Sequence, residues 1–465
     1  LTTNLPLLED ELLPVLHQLE EDQTLVTGPL LENDDQTYWC DSRNYEFLLR
    51  LLRDESRVEF SPLPLTSLTP FLYTWQARTS GDDNLEHLFD TIENLRYYPA
   101  NAQMWESEIL PARFQTYSTR DLDQLFLEGD IQWIGTGNKQ TVFCFADEEE
   151  LCFKAPEEAK DSILNELTGR RTFTELLDST GANASVLAEK LWTEVWNSTI
   201  SNDSIGVLRK AIETDFKVPD AVSLQQSSQR KLRRGGFNQW RSSVPFAGNW
   251  YQINYRDTDE ADLLELEEMN KERARTVLER YGIVFRELLL RELPALRWSP
   301  LFRSLRLMEL SGEVLSGYFF ENVPGPQFIT PAGLRLLKGG IDEDQIFWIN
   351  ATDPISPAGM GLISELPRRV ASNHLVYQGS ELVLSSERYG KSITIHVTPA
   401  AENLHRYFDV FRHLLYRSYQ PRTKLEIETI NDNPARQSPY LSALESSFDL
   451  VHDHKSVYMQ RQFQQ

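Results

Sequence analysis

Leu301-Phe302-Arg303-Ser304-Leu305-Arg306-Leu307-Met308-Glu309-Leu310 runs directly into Ser311-Gly312-Glu313-Val314-Leu315-Ser316-Gly317-Tyr318-Phe319-Phe320. The first ten residues have the spacing of an amphipathic helix, and the next ten read as a turn and a short β-hairpin. Gly312 stands where a chain leaves a helix through a left-handed residue, a conformation glycine adopts at little cost. Helix, glycine-acidic turn and hairpin make the layout of a winged helix, a helix-turn-helix carrying a β-wing. The pattern recurs. Residues 12–19 put Leu12, Leu13, Val15, Leu16 and Leu19 on an apolar face, ahead of a hairpin-like stretch at 24–31 that ends at Tyr38-Trp39-Cys40. Residues 120–127 lead through Gly129 into strands at 130–135 and 142–145. A reduced copy has a plain helix at 186–196 and a hairpin cut down to Asn197-Ser198-Thr199-Ile200. Repetition of one supersecondary unit makes a chance match less credible than a single occurrence would. Modules of this kind either meet a nucleic acid or pack only on one another.

The chain has 465 residues, enough for about three domains. With 40% hydrophobic and 11% aromatic residues it can bury cores, which excludes wholesale disorder. No apolar run reaches the roughly 18 residues of a membrane span. The first residues, Leu1-Thr2-Thr3-Asn4-Leu5-Pro6, lack both a signal peptide pattern and an initiator methionine, so a piece of a longer protein is expected. Cys40, Cys144 and Cys152 form no CxxC and have no nearby histidine pair, which speaks against a zinc site or a disulfide framework and for a reducing cytoplasm.

The net charge of −24 opposes nucleic acid binding unless the positive charge is concentrated. It is concentrated once. Residues 221–250 contain no acidic side chain and carry Arg230, Lys231, Arg233, Arg234 and Arg241, while acidic residues crowd the stretch 257–272. Such a stripe marks either a phosphate-binding surface or a solvated linker; the Gly235-Gly236 pair and the Ser/Gln run favour a linker between two halves.

The expected order is therefore a partial winged helix at 1–42, a connecting helical segment at 43–118, winged-helix modules at 119–220, a basic linker at 221–250, a winged helix at 251–340 and an α+β module at 341–465. In that last module 374–377, 381–385 and 392–397 alternate at period two, 400–416 reads as one helix, 424–430 as a strand and 438–448 as a last helix. The fold class is α+β, tandem winged helices with a β-rich C-terminal module.

Arg303 and Arg306, three apart on the helix of the clearest copy, occupy neighbouring positions and can grip phosphate or base edges; the alternative is pairing with Glu309 or Glu313. Arg368 and Arg369, ahead of the β-strands, are either DNA contacts or members of surface ion pairs. Tyr281 and Trp298 suit a core, and base stacking would suit them too.

Further stretches carry a resemblance. Glu279-Arg280-Tyr281-Gly282-Ile283-Val284-Phe285-Arg286, Gly325-Pro326-Gln327-Phe328, Asn350-Ala351-Thr352-Asp353-Pro354, Tyr38-Trp39-Cys40-Asp41, Trp105-Glu106-Ser107-Glu108-Ile109-Leu110-Pro111-Ala112-Arg113, Leu122-Asp123-Gln124-Leu125, Pro367-Arg368-Arg369 and the run from Asn431 to Pro439 resemble the C-terminal portion of the bacterial large helicase-related (Lhr) family almost end to end. The resemblance implies a 3′-to-5′ DNA-repair helicase whose motor domains lie outside this stretch, with ATP and magnesium needed only there. It also implies DNA, single-stranded or as a tailed duplex, the motor domains and a second copy of the chain as partners, and a likeness to tandem winged-helix DNA glycosylases of the AlkZ type.

The chain's own chemistry is sparse. A motor needs a glycine-rich phosphate cradle ending in Lys-Ser/Thr, and neither Gly390-Lys391-Ser392 nor Gly137-Asn138-Lys139 has the upstream glycine. A glycosylase needs only a positioned water-activating group. The family's uracil excision is attributed to an Asp near the C-terminus, for which Asp449 and Asp453 are the candidates; Gln460-Arg461-Gln462 is a chance match to a Gln-x-Gln motif. Three functions stay open: DNA-binding accessory region of a helicase, uracil-type glycosylase, or an oligomerisation scaffold without nucleic acid.

Overall fold

The computed structural model describes residues 9–22, 24–31, 36–56, 60–76, 84–146, 148–153, 167, 169–218, 246–253, 255 and 263–461. The chain divides into two compact units, Leu1–Ser61 and Pro62–Gln465. The smaller holds the helix Glu9–Glu21, an antiparallel hairpin of Leu25–Gly28 with Tyr38–Asp41, and the helix Ser42–Ser56. Asp41 starts that second helix by accepting the amides of Arg43 and Asn44 at 3.0 and 3.1 Å, as an N-cap carboxylate does.

Within the larger unit, three small sheets share one topology. In the first, Ala100–Asn101 pairs with Gln140–Phe145, which pairs with Ile131–Gly135. In the second, Arg171–Thr172 pairs with Asn249–Gln252, which pairs with Ile200–Asn202. In the third, Ile283–Val284 pairs with Gln327–Ile329, which pairs with Leu315–Gly317. Each time the last strand in the chain is central and a helix precedes the middle one: Thr119–Glu128, Ala184–Trp196 and Trp298–Leu310. This is the winged-helix order three times over, so the α+β class and the tandem organisation stand as expected. Gly129 ends its helix at φ 88°, and Gly312 follows its helix at φ 80°. Gly282 is required twice: its φ is 69°, and a Cβ there would approach the Trp75 ring to 2.6 Å.

The reduced copy is not reduced. Ile200–Asn202 finds its partner at Asn249–Gln252, a strand that begins within the last residues of the basic stretch 221–250. Its last residues, Asn249 and Trp250, lie in the returning strand, and Trp250 is fully buried beside Trp192 and Phe246. A hairpin signal depends on a short turn, and these two strands lie far apart in the sequence.

The β-rich module contains a six-stranded sheet ordered Ile346–Asn350, His374–Gln378, Glu381–Glu387, Ser392–Ile395, Thr429–Ile430 and Asn433–Pro434. A second sheet sets Val457–Gln460 between Lys424–Ile427 and Asp449–His452. The expected strand 424–430 therefore splits between sheets at Glu428, whose amide, like that of Thr429, donates to the Lys391 carbonyl. The expected helix 400–416 breaks at Phe408 (φ −84°, ψ 0°) into Leu404–Tyr407 and Asp409–Tyr416. That break lets Leu404, Tyr407 and Phe408 join the same core as Phe411, Leu414 and Leu415. Of 438–448 only Leu441–Glu445 is α-helical, and the tail after it forms the hairpin just described.

Candidate nucleic-acid interface

A winged helix offers its third helix to a groove, so the charge and exposure of the three such helices decide which can face DNA. Thr119–Glu128 sets Arg120 against Asp121, Asp123 and Glu128. Ala184–Trp196 sets Lys190 against Glu189 and Glu194. Trp298–Leu310 alone carries more arginine than acid, Arg303 and Arg306 against Glu309. Its inner face is fixed by the buried side chains of Leu301, Leu305 and Met308, which turns Arg303 and Arg306 outward with side chains 84% and 53% exposed.

Both arginines have partners. Arg303 lies 3.5 Å from Glu267 and Arg306 lies 2.6 Å from Glu309. Glu313 is taken by Arg275, at 2.6 and 3.0 Å, and that guanidinium holds the Glu313 carboxyl below its ordinary value. Exposed pairs of this type are worth about 0–1 kcal/mol each, so a phosphate competes with them easily. Tyr281 is fully buried and donates to Glu292 at 2.6 Å. Trp298 is half-buried and meets the rings of Phe302 and Phe328 at 5.4 and 5.9 Å.

The other expected contacts fall elsewhere. Arg368 is exposed. Arg369 is half-buried, and its guanidinium donates to the carbonyls of Ala351, Thr352 and Asp353 and to the Tyr98 hydroxyl at 2.7–3.1 Å, which commits it to holding the Asn350–Asp353 turn. Arg230, Lys231, Arg233, Arg234 and Arg241 lie outside the described residues. Asp449 is exposed at the start of the tail hairpin, opposite Gln460. Asp453 is exposed in its turn and accepts the His454 amide at 2.7 Å. Among the described residues no group of three or more His, Cys, Asp or Glu is placed to hold a metal ion. None of the described helices is long and apolar enough to cross a membrane.

The stretch Trp105–Arg113, distinctive in sequence, is a buried junction. Trp105–Ile109 forms a π-turn, a rare helical form that here turns successive polar residues toward different neighbours. Glu106 accepts from Arg209 and Tyr117. Glu108 accepts from Arg417 and pairs with His374 at 3.0 Å and His413 at 3.5 Å. Burial opposes ionisation of Glu108, but the charge and hydrogen bonds of the two histidines outweigh it and hold its carboxyl well below the usual range. Arg113 grips Asp353. Arg280, also fully buried, ties Glu292 to the carbonyl of Arg96. The recognition helix therefore stands on a platform in which winged helices and β-module are braced by buried ion pairs.

Two winged-helix domain models of the large helicase-related protein match this chain, at residues 64–150 and 264–345, the segments holding the first and third of the three sheets. The chain is 25% identical over 410 residues to the Lhr helicase/probable uracil glycosylase of Mycolicibacterium smegmatis (strain ATCC 700084 / mc(2)155), covering 82% of this chain. It is 26% identical over 438 residues to the Lhr helicase/uracil glycosylase of Escherichia coli (strain K12), covering 85% of this chain. The matched region spans 27% of the length of each of those proteins. Among solved structures, Streptomyces sahachiroi DNA glycosylase AlkZ aligns with a TM-score of 0.39 and 11% identity, over 76% of this chain and 97% of that one. Residues 64–150 and 264–345 are thus each similar to a winged-helix domain of the large helicase-related protein.

Proposed function

We propose that this chain is a DNA-binding accessory region of an ATP-dependent, 3′-to-5′ helicase of the Lhr type acting in DNA repair, with Trp298–Leu310 as its principal grip on DNA. The observation that carries this reading is the pair Arg303 and Arg306, exposed on the only one of the three wing-preceding helices with an excess of positive charge. The names of the two relatives supply the helicase context. ATP hydrolysis and magnesium belong to motor domains outside this stretch, and a single-stranded or tailed duplex is the DNA form that fits a helicase product. The basic residues Arg230, Lys231, Arg233, Arg234 and Arg241 add a second source of positive charge. Arg368 adds one more exposed cation, on the β-module. Self-association and a cytoplasmic location complete the proposal.

Binding of a fluorescent tailed duplex, followed by anisotropy at two salt concentrations, tests it. Phosphate contacts release counterions, so affinity falls steeply with salt if the reading holds. A flat salt response rejects it.

A further inference from the structure

The wing beside this helix exposes an aromatic ring on an immobilised backbone. Tyr318, one residue beyond the strand Leu315–Gly317, is 67% exposed, while its successors Phe319 and Phe320 are 5% and 1% exposed. The buried Gln327 side chain accepts the amides of Phe319 and Phe320 at 3.0 and 2.9 Å and donates to the Phe320 carbonyl at 2.8 Å. Leu63 brackets the same segment, donating to the Phe319 carbonyl and accepting from the Glu321 amide at 2.9 Å each. Ahead of Tyr318, Ser316 is hydrogen-bonded to Glu309, the partner of Arg306. The wing is thereby tied to the recognition helix next to a cation that a phosphate would meet. On that helix Phe302 is 39% exposed and packs against Trp298 and Phe328.

With the backbone on either side of it held in this way, Tyr318 loses only side-chain freedom when a flat partner covers its ring. Arg306, linked to the wing through Glu309 and Ser316, and Arg303 on the same helix favour a partner that is flat and carries phosphate, which is a nucleobase in a strand and not an apolar peptide. Of the acids nearby, Glu313 is held by Arg275, and Glu309 keeps its hydrogen bond to Ser316 when a phosphate takes Arg306. Glu321, in the wing turn, is the exception and is exposed.

We infer that Tyr318 stacks on the unpaired base at the end of a duplex gripped by Arg303 and Arg306, so that the wing reads the junction between double and single strand. This rests on the DNA-binding reading above and adds the structure recognised.

The test uses the whole chain and two DNAs, a blunt hairpin duplex and the same hairpin with a 3′ tail whose first unpaired base is 2-aminopurine. The expected result is quenching by the native chain and by Tyr318→Phe but not by Tyr318→Ala. Tyr318→Ala should also bind the tailed DNA about tenfold more weakly, within the range of one lost base-stacking contact, while its blunt-duplex affinity is unchanged. Equal quenching by all three proteins overturns the inference, as does an equal loss on both DNAs. If Arg303→Ala/Arg306→Ala weakens binding and Tyr318→Ala is silent, the wing inference alone fails. If the native chain binds neither DNA, both fall.

Discussion

Arg113 and Asp353, distant in sequence, form a two-pronged ion pair with both bonds at 2.9 Å and side chains only 6% and 0% exposed. The remaining guanidinium donors are used as well, by Gln76 at 2.6 and 3.2 Å and by the Ile109 carbonyl at 2.6 Å. Asp353 also accepts the Ile355 amide at 3.1 Å. Every polar atom of the pair is therefore engaged, which is the condition under which a buried charge pair is tolerated.

Removing one partner leaves the other charged, buried and alone. Asp353→Ala should destabilise the larger unit by about 3–5 kcal/mol, and Arg113→Met/Asp353→Leu together by distinctly less. Chemical denaturation of the three proteins measures this. Equal losses for the single and double variants would show that the cost comes from packing and not from the orphaned charge.

Glu108 predicts an acid dependence. Its folded carboxyl titrates below the unfolded value of about 4.3, so its contribution to stability is complete above that pH. The contribution erodes as pH falls below about 4.3 and is gone once pH passes the folded value. Glu108→Gln should be less stable than the native chain at pH 7, and the difference should narrow between pH 5 and pH 3. A difference that stays constant or widens on acidification contradicts this.

How much of this was legible follows from sequence distance. The helix expected at 301–310, observed as Trp298–Leu310, and the Gly312 exit are local signals and stand, whereas the hairpin expected within 311–320 holds one strand, Leu315–Gly317, whose partner Gln327–Ile329 lies further along the chain. The pairing of Ile200–Asn202 with Asn249–Gln252 was not, since nothing local marks a partner that far along the chain. The stretch Trp105–Arg113 was noticed as distinctive, but its role depends on His374, 266 residues from Glu108, and on Asp353, 240 residues from Arg113. Arg303 and Arg306 were found by helical spacing; the exposure of Tyr318 was not foreseen, because an alternating strand gives the same pattern for a buried ring.

Uracil excision by this chain should be weak or absent. Asp449 and Asp453 are both exposed on the tail hairpin, whereas positioning a water against a flipped nucleotide calls for an enclosing pocket. Lack of such a positioned carboxylate costs on the order of a hundredfold or more in rate. An abasic-site assay on uracil-containing DNA decides. Strong excision lost in Asp453→Asn would contradict the prediction and assign that carboxylate, while strong excision surviving Asp453→Asn and Asp449→Asn would place the chemistry elsewhere.

The most direct test of the account compares two winged helices in one chain. The salt dependence of tailed-duplex binding should be measured for the native chain, for Arg303→Ala/Arg306→Ala and for Lys190→Ala on the corresponding helix Ala184–Trp196. Each phosphate contact adds about 0.9 to the slope of log affinity against log salt. The double variant should show a slope lower by about two units and weaker binding across all sequences, and Lys190→Ala no change. A native slope in the double variant, or an equal loss in Lys190→Ala, would contradict the assignment of Trp298–Leu310 as the DNA grip.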